Sequence, residues 1–149
     1  MPEYIVFTAG KFIFRIATDC LYTPEGVWVR AQGNTICVGL SDYLQQRSGD
    51  VAFAEIKPAG TRLTAGDEFA VIETIKVDLS LGAPVSGELL AANPAMEAAA
   101  EAINQDPYGV GWLAEIRPAD WEADSTALLS PTDYRDKAQA EADQETRLQ

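Results

Sequence analysis

Apolar and polar residues alternate loosely over about the first fourteen positions, with Tyr4, Val6, Phe12 and Phe14 as apolar members. A period of two predicts one or two short strands around Ala9-Gly10. Residues 27–31 and 35–40 have strand composition and flank Gln32-Gly33-Asn34, a tight-turn sequence, which predicts a hairpin. Ser41 is placed to cap a short helix over residues 42–47, and Gly49 to end it in the left-handed conformation. Strand-like runs then recur at residues 51–56, 68–74, 85–90 and 112–117, separated by turns that carry glycine or proline.

Two of these runs enter similar corners, at residues 54–60 and 89–95, and each corner leads to one apolar residue, Leu63 or Met96. The similarity reads as a faint internal duplication or as ordinary strand-turn grammar, with Lys76 between the halves. Residues 93–104 carry a capping asparagine, a proline at the first helical position and an alanine run, which predicts one short helix stopped by Asp106-Pro107. Ser130-Pro131 opens a C-terminal helix. Its later part, residues 137–149, is polar on nearly every side and is expected to fray into solvent or to meet a partner.

A length of 149 residues with 47% hydrophobic content predicts a single globular domain. The net charge of −12 and the pI near 4.2 disfavour phosphate backbones and anionic lipid headgroups, so nucleic acid and membrane are expected not to be partners. An acidic surface suits brief docking on basic faces of partner enzymes, or simply keeps the protein dissolved. The chain contains no histidine, which removes histidine-based triads and the commonest metal ligand. Cys20 and Cys37 stand seventeen positions apart without a Cys-x-x-Cys pattern and read as small buried hydrophobes. No nucleophile is paired to a base, so a self-contained enzyme is not expected. The first residues lack a basic region followed by an apolar stretch, which predicts a cytoplasmic protein. The absence of a strong apolar stripe predicts a monomer.

Lys76 is one of four lysines, and it lies between the strand ending Val71-Ile72-Glu73-Thr74 and the segment leading to Ala83-Pro84-Val85. That places it at a hairpin tip, where an amine is exposed to a modifying enzyme and an attached group can swing. Most tip lysines only solvate their loops, so position alone leaves both readings open. Around it stand Val38-Gly39-Leu40-Ser41-Asp42-Tyr43, Gly49-Asp50-Val51-Ala52-Phe53, Glu73-Thr74-Ile75-Lys76, Ala83-Pro84-Val85-Ser86-Gly87-Glu88 and Asp106-Pro107-Tyr108-Gly109-Val110-Gly111-Trp112-Leu113. In order and spacing these segments resemble the glycine cleavage system H-protein family, from about Leu21 to the C-terminal helix. Each alone is a weak signal; five in register are a specific one.

The resemblance implies a mainly β fold, a flattened barrel-sandwich hybrid of the lipoyl-domain type with short peripheral helices and a C-terminal helix. It divides the chain into an N-terminal extension of short strands (1–20), a lipoyl-carrier domain (21–130) and a C-terminal helix with a polar tail (131–149). It implies a non-catalytic carrier with lipoate covalently attached to Lys76. An aminomethyl group would be received from pyridoxal-phosphate glycine decarboxylase and presented to tetrahydrofolate-dependent aminomethyltransferase, and dihydrolipoyl dehydrogenase would reoxidise the dithiol. A lipoate ligase or lipoyl transferase would install the group. Glu73 and Asp78 flank the lysine and either guide that ligase or solubilise the hairpin.

The sequence also departs from the family. The usual Tyr-Thr-x-x-His-Glu-Trp-Val is here Tyr22-Thr23-Pro24-Glu25-Gly26-Val27-Trp28-Val29, so Gly26 and Val27 replace a histidine and a glutamate. Val77 stands for the usual alanine, Ser80 for a frequent aspartate, and Tyr43 for the histidine of the short helix. Asp78 or Glu25 is placed to compensate for the lost carboxylates. Three alternatives follow: an H-like lipoyl carrier in sulfur-compound oxidation or lipoyl relay, a biotinyl carrier, and an unmodified interaction module. Ile75 and Val77 stand where biotinyl domains place methionines.

Overall fold

A computed structural model describes residues 3–148. In chain order its strands and helices are β1 (Tyr4–Ala9), β2 (Phe12–Ala17), β3 (Leu21–Tyr22), β4 (Val27–Gln32), β5 (Thr35–Leu40), α1 (Asp42–Ser48), β6 (Val51–Ile56), β7 (Arg62–Leu63), β8 (Glu68–Thr74), β9 (Asp78–Gly82), β10 (Gly87–Ala92), α2 (Ala102–Gln105), β11 (Ala114–Pro118), α3 (Trp121–Ser125) and α4 (Pro131–Arg147). The strands pair antiparallel in three sheets. One is the hairpin β1-β2, one has six strands in the order β3-β4-β5-β11-β10-β7, and one has three in the order β6-β8-β9.

The fold is mainly β, and its sheets stay open rather than closing into a barrel. Val38, Ile116 and Leu89 of the six-stranded sheet and Phe69 and Ile72 of the three-stranded sheet share one fully buried cluster. Burying each of these side chains contributes about 1.5–3 kcal/mol. Close packing also fixes Gly39, because a Cβ there would stand 2.7 Å from the Trp28 ring on the neighbouring strand. The ends of the two-sheet unit are fastened to each other: Tyr22 and Leu129 exchange backbone hydrogen bonds of 2.9 and 2.7 Å.

A second cluster lies outside the sandwich. Phe7 and Phe14, paired across the β1-β2 hairpin, pack with Tyr43 of α1 and with Tyr134, Ala138 and Ala142 of α4. The C-terminal helix is therefore continuous to Arg147 rather than frayed, packed along one stripe while residues 144–148 stay exposed. Its buried stripe is narrow, one residue in four, and two of its members are alanines that let β1 approach closely. Tyr134 stacks on Tyr22 with ring centroids 4.5 Å apart. Gln149 lies outside the described residues.

Other expectations need correction. The single helix over residues 93–104 is a 3-10 turn at Pro94–Glu97 followed, after a bend, by α2. This path buries both Met96 and Ile103, and it brings Asn104 to the Val51 amide (2.8 Å) and the Gly49 carbonyl (3.2 Å). Gly49 ends α1 as expected, with the positive φ (92°) that favours glycine, but its ψ of −174° lies outside the left-handed helical basin. β10 and β11 begin two residues later than expected, and β3, β7 and α3 are too short to leave a periodic trace.

Candidate functional site

The register of β8 with β9 sets Glu73 directly opposite Asp78, so that Thr74, the last residue of β8, and Ile75-Lys76-Val77 make the turn between them. Lys76 is therefore at the apex, as its spacing predicts, and it is exposed. The loop itself is well tied. Thr74 Oγ1 accepts from the amides of Lys76 (3.2 Å) and Val77 (2.9 Å) and lies 2.6 Å from the Ser48 carbonyl oxygen. The Ile75 amide donates to the Asp50 carbonyl at 3.0 Å. Gly49 stands beside this loop with φ 92°, a backbone conformation that favours glycine, although a Cβ there would meet Ile75 and Lys76 only at ordinary contact distances of 3.5 and 3.6 Å.

Lys76 lays its stem along the end of α1, and its Nζ donates to the Arg47 carbonyl at 3.2 Å. No carboxylate among the described residues pairs with it. Acylation of this amine would break no ion pair, and the resulting amide N–H would keep a donor for the same carbonyl. The residues present thus fit an acyl arm at this position. Ile75 (78% exposed) and Val77 (44% exposed) leave apolar side chains in solvent on either side of the lysine.

A groove of about 630 Å³ runs from Lys76 between β9, the turn before β4, and α4. Its lining holds four carboxylate residues, Glu25, Asp78, Glu141 and Glu145, against three cationic ones, Arg47, Lys76 and Lys137. Arg47 pairs with Glu145 at 3.0 Å and with Glu141 at 3.7 Å, so the C-terminal helix is joined electrostatically to the end of α1. Asp78 shares the groove with Lys76, whereas Glu73 does not line it.

Three of the positions that depart from the family pattern are set by backbone and packing. Gly26 adopts φ 106°, and a Cβ there would stand 2.8 Å from the Tyr134 hydroxyl, so a side chain is excluded by backbone and packing together. Val27 is buried in the sandwich core, which leaves Glu25 as the carboxylate of that turn in the groove. Ser80 donates to Glu68 at 2.5 Å, so a carboxylate from the adjacent strand stands beside the position of the missing aspartate. Arg47, Glu141 and Glu145 reach the groove from elements far apart in the chain, and Glu68 meets Ser80 across two strands, so no local pattern marks any of them. The cysteines are free and buried, as expected. No described helix is long and apolar enough to cross a membrane.

A model of the glycine cleavage H-protein family matches residues 20–141. The chain belongs to that family. It is 42% identical over 114 residues to the glycine cleavage system H protein of Bacteroides fragilis, covering 76% of this chain and 90% of that one. Identity to the corresponding protein of Chlorobium limicola is 42% over 123 residues, covering 81% and 95%. A crystal structure of a glycine cleavage system H protein from Mycobacterium marinum superposes with TM-score 0.70 at 28% identity, over 80% of this chain and 96% of that one. The β1-β2 hairpin precedes the family match.

Proposed function

We propose that this chain is the lipoyl carrier of a glycine cleavage system, with lipoate joined to Lys76 by an amide bond. The observation that carries the reading is the placement of an exposed, carboxylate-free lysine at a tied hairpin apex in a member of this family. When attached, the lipoyl group supplies a ring disulfide able to take an aminomethyl carbon on one sulfur. The chain's own residues do the rest. The Thr74 tie holds the base of the arm in place, which raises the effective concentration of its far end at a docked enzyme. Glu25, Asp78 and the Ser80-bonded Glu68 stand where an ammonium-bearing cargo would be stabilised, and acylation of Lys76 removes one competing cation.

In this reading residues 21–130 are the carrier unit, residues 1–20 an extension, and the partners are glycine decarboxylase, aminomethyltransferase and dihydrolipoyl dehydrogenase in the cytoplasm. The carboxylates Glu73 and Asp78 face each other across β8 and β9, a like-charge pairing that costs stability and so favours a role in recognition by the lipoate ligase or lipoyl transferase. The test is exchange of labelled carbon dioxide into glycine with the decarboxylase and pyridoxal phosphate. The lipoylated chain supports exchange, and Lys76→Ala does not. Absence of exchange from fully lipoylated protein overturns the aminomethyl cargo. Val27, buried where the family carries a carboxylate, would then favour an H-like carrier in another pathway.

A further inference from the structure

Lys76, Arg47 and Glu145 line both the charged groove and a second, smaller cavity against α1. The smaller one encloses about 100 Å³, and its walls include Phe12 and Phe14 of the β1-β2 hairpin, Tyr43 of α1 and Ala142 of α4. The aromatic wall is ordered: Phe14 meets Tyr43 edge-on with centroids 5.1 Å apart, and Phe12 stacks on Phe14 at 6.2 Å. Tyr43 is only 3% exposed, yet its hydroxyl has no hydrogen-bond partner among the described residues. A buried hydroxyl without a partner costs stability, so its presence in a cavity wall points to a ligand that completes it.

We propose that this cavity holds the uncharged dithiolane end of the arm on Lys76 between encounters with partner enzymes. The inference rests on lipoylation of Lys76 and goes beyond it by assigning the N-terminal hairpin and Tyr43 to the arm. Three properties agree. The lysine stem lines the cavity mouth, so the ring reaches it by folding back over α1. Aromatic rings are favourable neighbours for divalent sulfur, and the Tyr43 hydroxyl is free to donate to it. Burial pushes that hydroxyl up to about 12, with Arg47 pulling the other way, so it remains a donor at neutral pH. An ammonium-bearing cargo would lose its hydration among these rings, where Glu145, already paired with Arg47, is the one carboxylate, and so is directed to the groove with its four. The hairpin therefore sorts the empty arm from the loaded one.

The test uses the full chain with and without lipoate, after intact mass has confirmed one lipoyl group on Lys76. Failure at that first step removes the carrier reading and this proposal with it. Amide shifts between the two forms are expected to concentrate at Phe12, Phe14, Tyr43, Gln46 and Thr146. A water-soluble phosphine is expected to reduce the ring at least fivefold more slowly in the wild type than in Thr146→Trp. Thr146 is an exposed rim position, so that change plugs the mouth without entering the core. Tyr43→Phe, which keeps the ring and loses the donor, is expected to give an intermediate rate. Shifts confined to Glu25, Leu79 and Leu81, or to the loop alone, with equal rates in all three proteins, overturn the proposal while leaving lipoylation intact.

Discussion

The hydroxyl of Thr74 lies 2.6 Å from the carbonyl oxygen of Ser48, so the apex that presents Lys76 is fastened to the end of α1 rather than loose in solvent. Mobility then belongs to the lysine side chain and whatever it carries, while the backbone beneath it stays fixed. Thr74→Val removes this tie and the acceptor for two loop amides. The expected cost is about 0.5–1.5 kcal/mol per bond lost. Hydrogen exchange at the Lys76 and Val77 amides should accelerate, with the sheet amides of β8 unchanged. An unchanged exchange rate at both loop amides would show that Thr74 does not order the apex.

Much of this site is written in local chemistry. Strand alternation, the turn at Lys76 and the flanking carboxylates need only neighbours in sequence, and so the apex is legible without a structure. The groove is not, because Arg47 comes from α1 and Glu141 and Glu145 from α4, far apart in the chain, and nothing local marks any of them. The packing of α4 is hidden for a different reason. Its buried stripe of Tyr134, Ala138 and Ala142 has one large apolar side chain, too little to stand out against a polar helix. The break between residues 97 and 102 is likewise tertiary: alanines permit a continuous helix, and burial of Met96 and Ile103 together prefers the bent path.

Gly26 sits where the family pattern has histidine, and its reversal is predicted to fail. With φ at 106° and Tyr134 Oη 2.8 Å from the site of a Cβ, Gly26→His should destabilise the fold by more than about 1 kcal/mol. Chemical denaturation measures this. A neutral effect would mean that the turn and α4 adjust freely, and that the glycine is not required by their packing.

Glu73 and Asp78 oppose each other directly, so removing both charges should stabilise the hairpin. Glu73→Gln with Asp78→Asn is expected to gain about 0.2–1 kcal/mol and yet to slow acylation of Lys76 by a lipoate ligase several-fold. Faster or equal acylation in the double variant would assign the pair to solubility alone.

Stability should be level between about pH 6 and 8, where a chain without histidine has little to titrate. Above that range it should fall. Burial, opposed by Arg30, raises the Cys37 thiol from 9.0 to about 11, and burial raises Tyr43 from 10.0 to about 12. Cys20, Tyr22, Tyr108 and Tyr134 are raised as well, chiefly by burial. These groups are neutral when protonated, so the folded state holds their protons more tightly than the unfolded chain. Their contribution is complete below their ordinary values and is lost as pH rises through the folded ones. On the acid side burial raises Asp19 but its bonds to Arg30 lower it further, so its small, solvent-screened contribution is lost only as pH falls below 3.8. Urea midpoints at pH 7, 9 and 10.5 check the alkaline limb. A constant midpoint across all three would contradict the burial of these groups.

The most direct measurement is the intact mass of the chain purified from its native host, beside Lys76→Ala from the same cells. Acylation of the apex amine predicts one added lipoyl group on the first protein and none on the second. An unmodified first protein, or an adduct that persists after Lys76 is removed, would contradict the account.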